Sequence, residues 1–222
     1  MRYWLLVLAF LVAGVNAVSI DDRIEQYLLS HPDVIARALE IHADNINKER
    51  ISNIVTRGDN DIVIVNPEAD SVLIAYIDYR CGACKRSYPL VQEFAMQHRD
   101  VALIIRPLPV LGGDAATAAL MMYEAREKGV AKRFSEALFD ASQAPDKELL
   151  YTLAKQFQIK VPLMIMLSQH WAFKHLETNY EQSASLDNQS VPLYVLAKGS
   201  EYRLFKGLSS VKILEQAYEE MK

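Results

Sequence analysis

The alternation of apolar and polar residues changes character along this chain, and each change marks an element. Over residues 19–57 the apolar positions Val34, Ile35, Ala38, Leu39, Ile41 and Ile46 fall on one broad helical face, thinning through ADNINKER. Ser30-His31-Pro32-Asp33 predicts a helix start, with proline in the first turn and an acid near the positive end of the dipole. Gly58 predicts a helix stop, and GDND reads as a linker. From residue 61 the period shortens. DIVIV (61–65), SVLIAYID (71–78) and VALIIRP (101–107) are β-branched runs bounded by turn residues, and they predict strands. Between the last two, Leu90, Val91, Phe94 and Ala95 recur at helical spacing.

Residues 113 to 187 predict continuous helical structure. DAATAALMMYEAREKG ends at Gly129, and KELLYTLAKQF aligns Leu149, Leu150, Leu153, Ala154 and Phe157 on one stripe. At that spacing an Ala/Met-rich stretch is core and not a cofactor box, and LGGD lacks the pattern of a phosphate loop. VPLYVLAKG and EYRLFKG predict two strands with a turn between them, and SVKILEQAYEEM a closing helix.

The amino terminus sets the expected compartment. Arg2 precedes an apolar run from Trp4 to Val15, followed by Asn16-Ala17. A basic start, a short apolar segment and small residues describe a secretory signal peptide over 1–17, cleaved after Ala17. A helical span takes roughly 20 residues, so an uncleaved anchor is the lesser alternative. Losing Arg2 moves the net charge from −4 to −5. A mildly acidic chain without long basic runs argues against nucleic acid as a partner. The expected organisation is therefore 1–17 leader, 18–60 helical segment, and 61–222 α/β domain with a helical insertion at about 113–187.

The chemistry concentrates in DYRCGACKRSYP, residues 78–89, which holds both cysteines of the chain. The pair lies where a strand hands over to a helix in a β-α-β unit. In a helix's first turn, residues i and i+3 have Cβ atoms about 5–6 Å apart. A disulfide accepts Cα separations of about 4.4–6.8 Å, so the spacing permits a bond with little backbone movement. A structural staple would close too small a loop to gain much. A metal site is a poor match as well: 85 residues separate Cys84 from His170, whereas a zinc finger uses about 12–15. His170 and His175 also point to different faces of a helix, and His31, His42 and His98 read as solvated or capping residues. The redox reading makes Cys81, at the helix N-terminus and beside Arg80, Lys85 and Arg86, the attacking thiol. Cys84, one turn further in, is the resolving partner.

IAYIDYRCGACK on a strand-to-helix turn, a helical insertion and then SVPLYVLAKG, in that order, resemble the DsbA-like thioredoxin-fold thiol–disulfide oxidoreductases of the bacterial periplasm. The resemblance covers roughly residues 61–222. IEQYLLSHPDVIARALE is similar to the oligomerising segment of ScsC-type members. The resemblance implies a thioredoxin-like fold with an inserted helical subdomain and an N-terminal helical oligomerisation arm. It implies a cis-proline loop against the cysteines, assigned to Pro192 over Pro162, with Val191 offering backbone hydrogen bonds to substrate. It also implies exported protein substrates, a membrane redox partner and no organic cofactor or metal. The apolar face of residues 19–57 has nothing of its own to cover and a second copy is its simplest partner, so a homodimer is expected through Ile24, Leu28, Ile35, Leu39 and Ile46, with a trimer as runner-up. The dipeptide between the cysteines is Gly82-Ala83, where strong oxidases carry Pro-His, thioredoxins Gly-Pro and periplasmic isomerases Gly-Tyr. Oxidase and isomerase both stay open, and a redox-inactive chaperone or binding protein on the same fold is the alternative of a different class.

Overall fold

A computed structural model of the protein describes residues 19–58, 61–162, 164–186, 188 and 190–221. The expected leader, 1–17, lies outside the described residues. Contacts divide the chain into two compact units, one ending at Lys48 and one running from Glu49 to Lys222.

The first unit is helical. α1 (Ile20–Ser30) opens with a reciprocal capping box: Ser19 Oγ accepts from the Asp22 N–H, and the Asp22 carboxylate accepts from the Ser19 N–H. His31 caps its C-terminus, and α2 (Pro32–Val55) begins at the proline, as its fixed φ favours. α1 buries none of its residues. Ile24, Leu28, Leu29 and Ile35 line a shallow groove of about 400 Å³ in this unit, rimmed by Asp21 and Glu25.

The second unit takes in the end of α2. Ile51 and Ile54 are buried, so the division falls at 48/49, twelve residues before the composition change at the GDND linker. Helix periodicity continues across that point, and only burial tells the two parts of α2 apart. The helix itself ends at Val55, short of Gly58.

Five strands form one sheet among the described residues, in the order β1 (Ile62–Val65), β3 (Val101–Pro107), β2 (Ser71–Ile77), β4 (Leu193–Lys198), β5 (Glu201–Phe205). β2 and β3 are parallel and joined through α3 (Gly82–Gln97), and the other pairings are antiparallel. β2 and β3 are buried at every position, which is why both read as unbroken apolar runs. Leu73, Ala75 and Ile77 pack on one face of the sheet with Val91 and Phe94, whereas Val72, Ile74 and Tyr76 pack on the other with Ile54 and Leu108. The strand period of two sorts β2 between two cores.

The stretch expected to be helical throughout is broken. It comprises α4 (Gly113–Glu127), α5 (Ala131–Asp140), α6 (Lys147–Phe157), a 3₁₀ helix (Met164–Gln169) and α7 (Phe173–Ser185). Ala141 to Asp146 is irregular, and Asp146 starts α6 by accepting the Leu149 N–H at 2.9 Å. Gln158, in the left-handed conformation, ends α6. After Pro162 the described residues Met164–Gln169 form a 3₁₀ helix and not a continued α-helix. Met166 has non-helical angles there. α8 (Lys212–Glu220) closes the unit through Leu214, Ala217 and Tyr218.

Candidate active site

The strand-to-helix handover after β2 builds the site. Asp78, just past the last residue of β2, accepts the Cys81 N–H on its carbonyl at 3.0 Å, making a turn that delivers Cys81 to the N-cap of α3. The Cys81 carbonyl accepts from the Lys85 N–H at 3.0 Å, the first helical bond. Cys81 makes no side-chain cap bond, so its sulfur is left for other partners. One turn later Cys84 points inward and is fully buried.

The two thiols are unbonded and differ in surroundings. Cys81 is half-buried, and its Sγ lies 3.8 Å from the Val191 carbonyl oxygen, the acceptor of its S–H. The Val191–Pro192 peptide bond is cis, while Pro162 sits in a loop that lines a different cavity with Thr117, Leu150 and Tyr151. Cys84 is pushed far above the ordinary thiol range, chiefly by burial. A hydrogen bond with Cys81 and the nearby Asp78 carboxylate add to the rise, and the Asp78 backbone N–H opposes it.

Behind the pair lies a buried hydroxyl layer. Ser87, one turn after Cys84, bonds the Tyr194 hydroxyl, and Tyr79 shares a 3.3 Å bond with Ser135. Burial raises Tyr79 and Tyr194 above the usual phenol range, so both stay neutral hydrogen-bonding groups. Tyr194 follows Pro192 by two positions on β4, which joins the proline loop to the wall of the thiol pocket.

The cations expected to steady the Cys81 thiolate have other bonds. Lys85 Nζ donates to the Ala141 carbonyl, and Arg80 Nη1 donates to the Leu111 carbonyl at 3.1 Å. Their hydrogen bonds tie α3 and the cysteine turn to neighbouring loops. Arg86 stays exposed, and a Cβ built on Gly82 would lie 3.5 Å from its Nη1. His170 bonds Glu124 at 3.1 Å, and the His175 ring packs on Tyr123. Among the described residues no group of three His, Cys, Asp or Glu side chains is arranged to hold a metal ion.

Asp78 escaped the sequence reading although it stands inside the quoted motif. Its carboxylate is buried at 1% exposure and accepts three backbone N–H groups: Arg80 at 2.7 Å, Val110 at 2.8 Å and Leu111 at 2.9 Å. The available signal was an acid at the end of an otherwise apolar strand, three residues before a cysteine.

The family model described as Thioredoxin matches residues 57–202. A comparison with curated proteins finds no match. Among solved structures, ScsC of Proteus mirabilis in a transitional conformation superposes with a TM-score of 0.66 at 23% identity, over 90% of this chain and 94% of that one. The thiol-disulfide exchange protein α-DsbA2 of Wolbachia pipientis superposes at 0.64 and 19% identity, over 82% and 98% of the two chains. A periplasmic thioredoxin-like protein of Salmonella enterica serovar Typhimurium gives 0.64 and 18%, over 75% and 92%. With the match spanning the cysteine turn, strands β1 to β4 and the proline loop alike, this chain belongs to the thioredoxin family.

Proposed function

We propose that the protein is a thiol–disulfide oxidoreductase that forms or isomerises disulfides in exported proteins through Cys81 and Cys84. The observation that carries this reading is the asymmetry of the pair: Cys81 is partly exposed beside the Val191–Pro192 loop, while Cys84 is fully buried. In the reducing direction the Cys81 thiolate attacks a substrate disulfide. A Cys81–substrate bond forms, and the other substrate sulfur leaves as a thiolate that takes up a proton. Cys84 then loses its proton and attacks the Cys81 sulfur, releasing the second substrate thiol. Two electrons have passed from the pair to the substrate, and oxidation runs the same steps backwards. For isomerisation the mixed disulfide is attacked by another substrate thiol instead, with no net electron transfer. Val191 is the backbone partner for an extended substrate strand, Pro192 shapes that loop, and the positive field of Arg80 and Lys85 favours the Cys81 thiolate.

The setting we propose is the periplasm, reached through cleavage after Ala17, with a membrane redox partner resetting the pair. Similarity to a protein described as periplasmic supports this placement. The arm of residues 18–60 is proposed to join copies of the chain, as a homodimer in the first instance and a trimer as runner-up. Its support is the exposed apolar set Ile24, Ile35, Leu39 and Ile46.

The test is a thiol-exchange assay on the purified protein with a reduced and a scrambled disulfide protein as substrates. Cys81→Ser should abolish both activities. Cys84→Ser should accumulate mixed disulfides, visible as adducts on a non-reducing gel. Equal turnover by the native chain and Cys81→Ser would sink the reading.

A further inference from the structure

Two segments meet at one buried carboxylate. A carboxylate taken out of water is costly unless its lone pairs are filled, and Asp78 fills them from both sides of the site. Its Oδ1 accepts the Arg80 N–H at 2.7 Å, two residues on, which holds the cysteine turn in an Asx-turn. Its Oδ2 accepts the N–H groups of Val110 and Leu111 at 2.8 and 2.9 Å, in the loop that follows β3. Arg80 closes the same link from the other direction by donating to the Leu111 carbonyl at 3.1 Å. Bonds to an ionised acceptor are among the stronger ones. The loop between β3 and α4 is therefore fastened to the residue adjoining Cys81.

That fastening has an unusual consequence for the side chains. Both N–H groups of the Val110–Leu111 pair point inward to the carboxylate, and their apolar side chains stand outward, at 40% and 46% exposure. Gly112, at φ 101°, then turns the chain into α4, and a Cβ there would lie 3.9 Å from Arg80 Nη1. Two apolar side chains are thus held at the surface by main-chain bonds to Asp78, three residues before the half-buried Cys81. A free loop would fold them inward or lose them to motion.

We infer that Asp78 is a positioning residue: its carboxylate fixes the Val110–Leu111 loop against the cysteine turn and so gives the redox pair a preference for thiols carried on an extended apolar polypeptide over small dithiols. The inference rests on the oxidoreductase reading above. The occupant it commits to is a segment of unfolded polypeptide. Continuity with the Cys81 turn is the reason: the loop is bonded to Arg80 and Val191 to Cys81, so a polypeptide whose sulfur reaches Cys81 extends along one of them. A small dithiol needs neither.

The experiment compares exchange rates on a reduced, unfolded protein and on dithiothreitol, for the full native chain, Asp78→Asn and Leu111→Ser. Asparagine keeps the volume of Asp78 but places an amide N–H₂ where an N–H acceptor stood. The ratio of polypeptide to dithiothreitol rates should fall about tenfold in Asp78→Asn, through a higher KM for the polypeptide. Leu111→Ser should lower the same ratio with Asp78 still in place, and it decides the matter where Asp78→Asn does not fold. An unchanged ratio in a folded Asp78→Asn, or in Leu111→Ser, overturns the inference. So does a fall in both rates by the same factor. Absence of exchange by the native chain on either substrate would instead overturn the oxidoreductase reading itself.

Discussion

Cys81 and Cys84 are one helical turn apart, yet burial separates their chemistry. A thiol in a dry pocket resists ionisation because the thiolate loses its solvation, and Cys84 is fully buried. Alkylation of the reduced protein with iodoacetamide at pH 7–8 should therefore modify Cys81 first, by at least about tenfold in rate, since reactivity follows the accessible thiolate. The sign follows from the direction of the shift. A raised pKa keeps Cys84 protonated through neutrality, so its labelling should rise only in strongly alkaline solution or on unfolding. Peptide mass mapping checks this, and first labelling of Cys84 in the folded protein would reverse the assignment of roles. The places of Cys81 and Cys84 were legible in the motif, because a C-x-x-C at a helix start leaves one cysteine at the cap and turns the other inward. The bonds of Arg80 and Lys85 were not legible, since Ala141 lies 56 positions from Lys85 and Leu111 lies 31 from Arg80.

Helix and strand positions mostly followed the apolar period, and the departures have local causes. α3 accepts Pro89 in its interior, with Val91 and Phe94 still buried beyond it. The insertion breaks where Asp146 and Gln158 supply a cap and a left-handed stop. A polar link holds α2 to the sheet. Arg106 on β3, 4% exposed, forms a bidentate pair with Asp61, Nε to Oδ1 at 3.0 Å and Nη2 to Oδ2 at 3.1 Å. Its Nη1 donates to the Ile54 carbonyl at 2.6 Å, the Tyr76 hydroxyl at 3.2 Å and Gln182 at 3.1 Å. Removing one partner strands the other charge in a dry site, which costs about 3–5 kcal/mol. Arg106→Ala should lose stability on that scale in urea unfolding of the reduced protein. Asp61→Ala should lose a similar amount, and the double variant Arg106→Met/Asp61→Leu should recover part of it. A loss under about 1 kcal/mol would show that the pair is solvated in solution.

At the scale of the whole chain, the arm and the thioredoxin-like unit are distinct bodies, and their division decides how to separate them. Ile51 and Ile54 belong to the second body, and Arg106 bonds the Ile54 carbonyl. A truncation that removes residues up to Lys48 should leave a folded domain, whereas one reaching Gly58 should lose core and stability together. Light scattering is expected to report an oligomer for the mature protein and a monomer for the chain starting at Glu49. The monomer should keep dithiol oxidation and lose most isomerisation of a scrambled substrate, because only an oligomer sets several Cys81 sites around one client. A monomer in both preparations would remove the arm's proposed role. By itself the sequence determined the β-α-β unit, the cysteines at its strand-to-helix turn and the α/β class. These depend on periodicity and spacing within a few turns of chain, where sterics and the period of two or 3.6 leave few choices. Only the tertiary structure decided which end of α2 belongs to the core, that Asp78 grips a loop 32 residues away, and that Arg106 meets Asp61 across 45. Burial turns those polar groups into partners: once water is excluded each must find an acceptor or donor, and the partner is set by the packing of distant elements rather than by local pattern.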